Sequence, residues 1–150
     1  MNVSEICRRH AITIRAHEEL QAAARLMRER HIGYLVVVDE NSPDMSRPIG
    51  VLTDRDIVVS VLAKGEDPRT LRVGDVMTRE PLIIPEDKSL EYALGEMRRI
   101  GVRRVPVTDR AGRSVGVLSL DDVLDAVARQ LLGVVGSIHR ELRTEGVQRP

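Results

Sequence analysis

Tryptophan and phenylalanine are absent from this chain of 150 residues, and tyrosine occurs only at Tyr34 and Tyr92. Apolar volume must therefore come from Val, Leu, Ile, Ala and Met, which the 42% hydrophobic content supplies for one compact domain. A single cysteine, Cys7, excludes an internal disulfide framework and fits a reducing compartment. Net charge is missing too: 23 basic residues balance 23 acidic ones. The basic surplus of a nucleic-acid or anionic-membrane binder is thereby excluded. No run approaches the roughly 18 apolar residues of a membrane span, and the polar start has no signal-peptide stretch. The expected location is the cytoplasm. Lysine is scarce, with Lys64 and Lys88 against 21 arginines. Arginine suits planar, bidentate contact with phosphate or carboxylate, although the arginine codons of a GC-rich genome produce the same excess.

What the chain does contain, it contains twice. Shifted by seventy positions, Met1-Asn2-Val3-Ser4-Glu5-Ile6-Cys7 falls on Leu71-Arg72-Val73-Gly74-Asp75-Val76-Met77. Leu20, Ala23, Met27 and Asp39 then fall on Leu90, Ala93, Met97 and Asp109. After a loop difference the offset becomes sixty-six, and Gly50-Val51-Leu52-Thr53 meets Gly116-Val117-Leu118-Ser119, with Asp56 on Asp122. A repeat of this length is one supersecondary unit that needs a neighbour to bury its apolar face. Two copies imply a pseudo-symmetric pair with one core and a cleft between the halves. Cys7, opposite Met77, is expected to be buried as an apolar residue; a redox role has no support.

Each copy is expected to fold as β-α-β-β-α, an α+β architecture. Residues 11–14 and 81–84 are the first extended stretches. Leu20, Ala23, Ala24 and Met27, and Leu90, Ala93, Leu94 and Met97, follow at helical spacing. Residues 34–38 form a β-branched run, as in a strand buried on both faces. Pro106, in the matching run 104–108, lacks a ladder donor and suggests an edge or strand-end position. Residues 49–52 and 115–118 form the last strands, each running into a helix at Asp54 or Leu120. The organisation predicted is repeat 1 at 1–64, a linker at 65–70, repeat 2 at 71–130, a helical extension at 131–143 and a frayed tail at 144–150. Leu131, Val134, Val135, Ile138 and Leu142 carry the apolar stripe of that extension. Gly133 and Gly136 weaken it by roughly 1 kcal/mol each relative to alanine, so it needs a partner surface.

The chemistry-bearing segments are Gly50-Val51-Leu52-Thr53-Asp54-Arg55-Asp56 and Gly116-Val117-Leu118-Ser119-Leu120-Asp121-Asp122. A hydroxyl followed three residues later by an acid is a helix capping box. The same pair beside a helix start also suits a ribose diol and a phosphate, and the glycine permits close backbone approach. Both roles can hold together.

These segments, with Asp75-Val76-Met77-Thr78 and Gly101-Val102-Arg103-Arg104-Val105-Pro106-Val107-Thr108-Asp109, resemble a tandem pair of cystathionine-β-synthase-type (CBS) domains, a Bateman module. The resemblance covers about residues 1–130, without an attached catalytic domain, as in small free-standing bacterial members. It implies two β-α-β-β-α repeats with pseudo-two-fold symmetry, an adenosyl ligand between them and a likeness to modules that form homodimers. Asp56 and Asp122 would hold ribose hydroxyls, helped by Thr53 and Ser119. Thr13, Ile14, Ile83 and Ile84 would clamp the adenine. Arg103 and Arg104, with Arg55, would meet phosphates.

The copies differ where this matters. Gly33 and Tyr34 stand opposite Arg103 and Arg104, and Leu120 and Asp121 opposite Asp54 and Arg55, so the two sites are expected to be unequal. The arginines favour AMP, ADP or ATP over S-adenosylmethionine or NAD, unless they only line a solvated face. His10, His17, His31 and His139 have no zinc-ligand spacing, and no Walker loop is present. Asp121, Asp122 and Asp125 crowd a helix start, which suits the helix dipole or Mg²⁺. No catalytic group, metal site or required cofactor is indicated. The expectation is a non-enzymatic adenine-nucleotide sensor, possessing an unidentified regulated protein as partner. The alternative is an interaction module with degenerate sites that dimerises or docks through its last helix.

Overall fold

Each copy of the repeat builds one four-stranded sheet, and each sheet takes its last strand from the other copy. The computed structural model describes residues 1–148. In chain order the elements are α1 (Val3–Ile6), β1 (Arg8–Arg9), β2 (Thr13–Arg15), α2 (Leu20–Arg30), β3 (Tyr34–Asp39), β4 (Arg47–Thr53) and α3 (Asp54–Ile57). The second copy repeats them as α4 (Val73–Val76), β5 (Thr78–Arg79), β6 (Ile84–Pro85), α5 (Leu90–Ile100), β7 (Arg104–Thr108), β8 (Ser114–Ser119) and α6 (Leu120–Gln148). The sheets run β2-β3-β4-β5 and β1-β8-β7-β6, with β2–β3 and β6–β7 parallel and the other pairs antiparallel. This is the expected pseudo-symmetric α+β pair with a long last helix.

The exchange of strands explains the opening segment of the repeat. Val3 and Ser4 donate backbone N–H groups to Lys88 and Glu86, at 2.9 and 3.0 Å, and Val73 and Gly74 donate likewise to Glu18 and Ala16, at 2.9 and 2.8 Å. The short helices α1 and α4 and strands β1 and β5 were not expected, although the seven matched residues at their start mark them. Consequently there is not one core but two. Ile14, Leu20, Leu35 and Leu52 pack with Val73 and Met77 of the second copy. Ile84, Met97, Val105 and Leu118 pack with Val3 and Cys7 of the first. Burying one such side chain contributes about 1.5–3 kcal/mol, so neither copy completes its core alone.

Local sequence accounts for the elements. In β3 every residue from Leu35 to Val38 is buried, as befits a strand flanked by β2 and β4 and covered by Leu20, Ala23 and Met27 of α2. Helices α2 and α5 stop identically: His31 (φ 54°) and Gly101 (φ 79°) are left-handed, their N–H groups reaching the Met27 and Met97 carbonyls.

Pro106 does not lie on an edge strand. It sits inside β7, opposite Val117 of β8, with β6 on the other side. Its counterpart Val36 donates its N–H to Ile12 at 3.1 Å. Pro106 has no such donor, and β6 pairs with β7 only from Ile84 onward. The proline shortens its neighbour instead of marking an edge.

The helix after β4 continues from α3 into a wider turn, Val58–Leu62, in which the Ala63 N–H reaches back to Val58. Residues 65–70 include left-handed Gly65 and a 3₁₀ turn, Pro68–Thr70, capped by Asp67. The counterpart helix α6 runs on to Gln148, through residues 144–148 of the expected tail; Arg149 and Pro150 lie outside the described residues.

Candidate functional site

The two motif segments sit where a last strand turns into a helix. Asp54 donates its N–H to the Gly33 carbonyl at 3.1 Å, and Leu120 to that of Arg103 at 3.0 Å. In the first copy the Thr53 N–H donates to Asp56 Oδ2 (2.9 Å) and the Asp56 N–H to Thr53 Oγ1 (3.1 Å), a complete capping box. In the second, the Asp122 N–H donates to Ser119 Oγ (3.1 Å), and the Ser119 hydroxyl donates to Asp122 Oδ2 (2.5 Å). Arg8 Nε donates to the other oxygen, Asp122 Oδ1, at 2.7 Å.

The motif glycines admit the exchanged strands. A Cβ on Gly116 would strike the Arg8 carbonyl oxygen, and one on Gly50 would lie 2.6 Å from Met77 Sδ and 3.0 Å from the Thr78 carbonyl oxygen. What approaches these glycines is the protein's own exchanged segment, by its backbone at Gly116 and chiefly by the Met77 side chain at Gly50. Beyond each exchanged strand the chain turns sharply through a left-handed residue, His10 (φ 61°) or Glu80 (φ 47°).

Each cleft is therefore composite. The first, about 810 Å³, sets Thr53, Arg55 and Asp56 of one copy against Thr78, Pro81 and Leu82 of the other, with Val102, Arg103 and Arg104 alongside. The second, about 330 Å³, sets Ser119 and Asp122 against Arg8, Ala11 and Ile12, with Ile32 and Gly33 alongside. Tyr34 and Arg104 line both.

Of the expected site residues, Thr53, Arg55, Asp56, Arg103 and Arg104 meet in the first cleft, and Ser119 and Asp122 in the second. Thr13, Ile14, Ile83 and Ile84 line neither. Ile14 and Ile84 pair with Val37 and Val107 and point into the two cores. The aliphatic walls come from two residues earlier, Ile12 and Leu82. Arg8, Thr78 and Tyr34 were not expected as site residues; the alignment of Arg8 with Thr78 is the signal that could have found them.

Burial raises the Tyr34 phenol above its ordinary pKa, against the opposing charge of Arg104. Its hydroxyl is buried without a hydrogen-bond partner among the described residues, a condition that costs about 1–3 kcal/mol until an acceptor or donor arrives. Arg103 lies 3.8 Å from Asp121 across an exposed rim. Burial raises the Cys7 thiol too, in keeping with a core residue. The first cleft thus offers an aliphatic wall, a hydroxyl and carboxylate side by side, and three guanidinium groups.

The CBS domain family profile matches residues 3–63 and again 73–129. An uncharacterised protein of Methanopyrus kandleri is 33% identical over 124 residues, which are 83% of this chain and 61% of that protein. Hypoxic response protein 1 of Mycobacterium tuberculosis is 38% identical over 107 residues, 71% of each chain. A crystal structure of hypoxic response protein, with two coordinated zinc ions, superposes with TM-score 0.73 at 33% identity, over 84% of this chain and 98% of that one. A CBS domain pair solved with 5′-methylthioadenosine and S-adenosyl-L-methionine gives TM-score 0.74 at 24% identity, over 87% and 98%. CBSX2 solved with AMP gives 0.70 at 24%, over 85% and 96%. Among the described residues no three His, Cys, Asp or Glu side chains gather as a metal site, and no helix is long and apolar enough to cross a membrane.

Proposed function

This chain belongs to the CBS domain family as a tandem pair, and we propose that it is a non-catalytic regulatory module whose first cleft binds an adenine nucleotide. Adenine lies against Pro81, Leu82 and Val102. The ribose hydroxyls donate to Asp56, whose Oδ1 has no partner among the described residues, and the phosphates meet Arg55, Arg103 and Arg104. The single observation that carries this is the convergence of those groups from both copies in one cleft. Three guanidiniums suit the anionic phosphates of AMP, ADP or ATP. That proteins of the same fold have been solved with adenosyl ligands supports the ligand class.

Because the cleft walls come from different copies, a ligand spanning them favours one arrangement of the pair, which is how a binding event becomes a signal. A cytoplasmic sensor of this kind passes it to a regulated protein or to a second copy. The test is a dye-based thermal shift, needed because the chain has no tryptophan. With AMP, ADP or ATP at about a hundred times Kd, melting should rise by about 5–10 °C, and Asp56→Ala should abolish the rise. No shift with these nucleotides, S-adenosylmethionine or NAD overturns the proposal.

A second role is favoured by α6, where Leu131, Val134, Val135, Ile138 and Leu142 are all exposed. This stripe serves as the contact for a homodimer or a partner protein. Leu131→Asp or Ile138→Asp should convert dimer to monomer in sedimentation; an unchanged mass of a single chain in both variant and parent removes the homodimer.

A further inference from the structure

We infer that Arg8 is a tethered occupant of the second cleft, holding the Asp122 carboxylate against a ligand's ribose, so that the chain binds one adenine nucleotide and not two. The inference rests on the nucleotide-binding role proposed for the first cleft. The two clefts are equivalent in backbone: β1 lies on β8 as β5 lies on β4, with Arg8 and Thr78 opposite Val117 and Val51. At that place the backbone is shared and the side chain is not. Thr78 leaves Asp56 alone, and Asp56 spends one oxygen on the Thr53 N–H. Arg8 takes Asp122 Oδ1 at 2.7 Å while the Ser119 hydroxyl takes Oδ2. Both oxygens that a ribose diol would need are engaged.

The competition is uneven. The guanidinium brings a full positive charge to the Asp122 carboxylate, whereas a ribose hydroxyl brings none. Asp121 and Asp125 on α6 add to the attraction for Arg8, and Arg9, pinned to Glu86 at 2.7 Å, fixes the strand that carries it. The volume agrees, about 330 Å³ against about 810 Å³ in the first cleft. The Arg8 side chain is 78% exposed while Asp122 is only 11% exposed. Arg8 covers the carboxylate from outside and supports no core, so shortening it should leave the fold intact.

Calorimetric titration with AMP tests this on the full chain. The wild type should bind one AMP per chain. Arg8→Thr, which installs the residue found at position 78, should add a second event about tenfold or more tighter than any second binding in the wild type. Asp56→Ala combined with Arg8→Thr should keep that event alone. Arg8→Met, which keeps an unbranched stem but offers neither charge nor hydrogen-bond donor, should behave as Arg8→Thr and guards against disturbance of β1. Two AMP per wild-type chain, or one in both Arg8 variants, overturns the inference while leaving the first cleft's role intact. No heat of binding in any form instead defeats the nucleotide role itself, and the inference with it.

Discussion

The two clefts share a backbone and diverge in side chains, and the divergence is concentrated where a ligand would sit. Thr78, which lines the first, is matched by Arg8, which lines the second, while Arg104 and its counterpart Tyr34 stand between the clefts and line both. Duplication fixes hydrogen-bond register, caps and the glycines that admit the exchanged strands. It places no constraint on side chains that face the open cleft, so one site can keep a pocket of about 810 Å³ while the other contracts to about 330 Å³.

The largest test of this shared frame is core truncation. Leu52→Ala and Leu118→Ala, fully buried in the two cores, should each destabilise by about 2–5 kcal/mol in denaturant unfolding. Each should unfold in one transition, because each core holds residues of the other copy; two separated transitions would break the picture of reciprocal cores. The glycines come next. Gly116→Ala, which meets a backbone carbonyl, should destabilise by about 3 kcal/mol, whereas Gly50→Ala, pressed mainly by a flexible methionine, should cost about 1 kcal/mol. Equal effects would show that the two exchanged strands seat alike.

Smaller effects separate the caps. Thr53→Ala and Ser119→Ala should each remove about 1 kcal/mol of stability, but only Thr53→Ala should also diminish the AMP-induced thermal shift. The smallest effect belongs to the tight turn of the second copy. The Arg113 backbone N–H and guanidinium hold Asp109 below the usual carboxylate range. A depressed folded pKa gives stability that is present above the unfolded value of about 3.9 and is lost as pH falls through the lower folded value. Melting followed from pH 6 to pH 2 should therefore show a shallower acid loss in Asp109→Asn than in the wild type.

Much of the scaffold was legible because it depends on local pattern. The buried run in β3, the helical spacing of Leu20, Ala23 and Met27, and the hydroxyl–acid caps are short-range features that recur at fixed offsets. Among the cleft residues, Thr53 and Asp56 stood out through the same repeat, whereas Arg55, Arg103 and Arg104 break it and were expected there from the family resemblance. Ile14 and Ile84 were misplaced because an apolar residue on a short strand has two faces available, and only packing against Val37 and Val107 selects the core. Pro106 misled for a related reason: a missing donor can be tolerated inside a sheet when the neighbouring strand ends short of it.

By itself, the sequence determined that the chain is a duplicated α+β unit, where its caps and turns fall, and that its two halves are unequal at Arg103–Arg104 and Gly33–Tyr34. Only the tertiary structure decided that the halves exchange their opening strands, that there are two cores, and that each cleft joins the motif of one copy to the segment of the other. It also decided that Arg8 reaches Asp122, 114 positions away. Periodicity and capping are set by neighbours within a few residues of the chain. Strand exchange and ion pairing across a cleft depend on which surfaces meet, and that follows from burying two incomplete cores against each other.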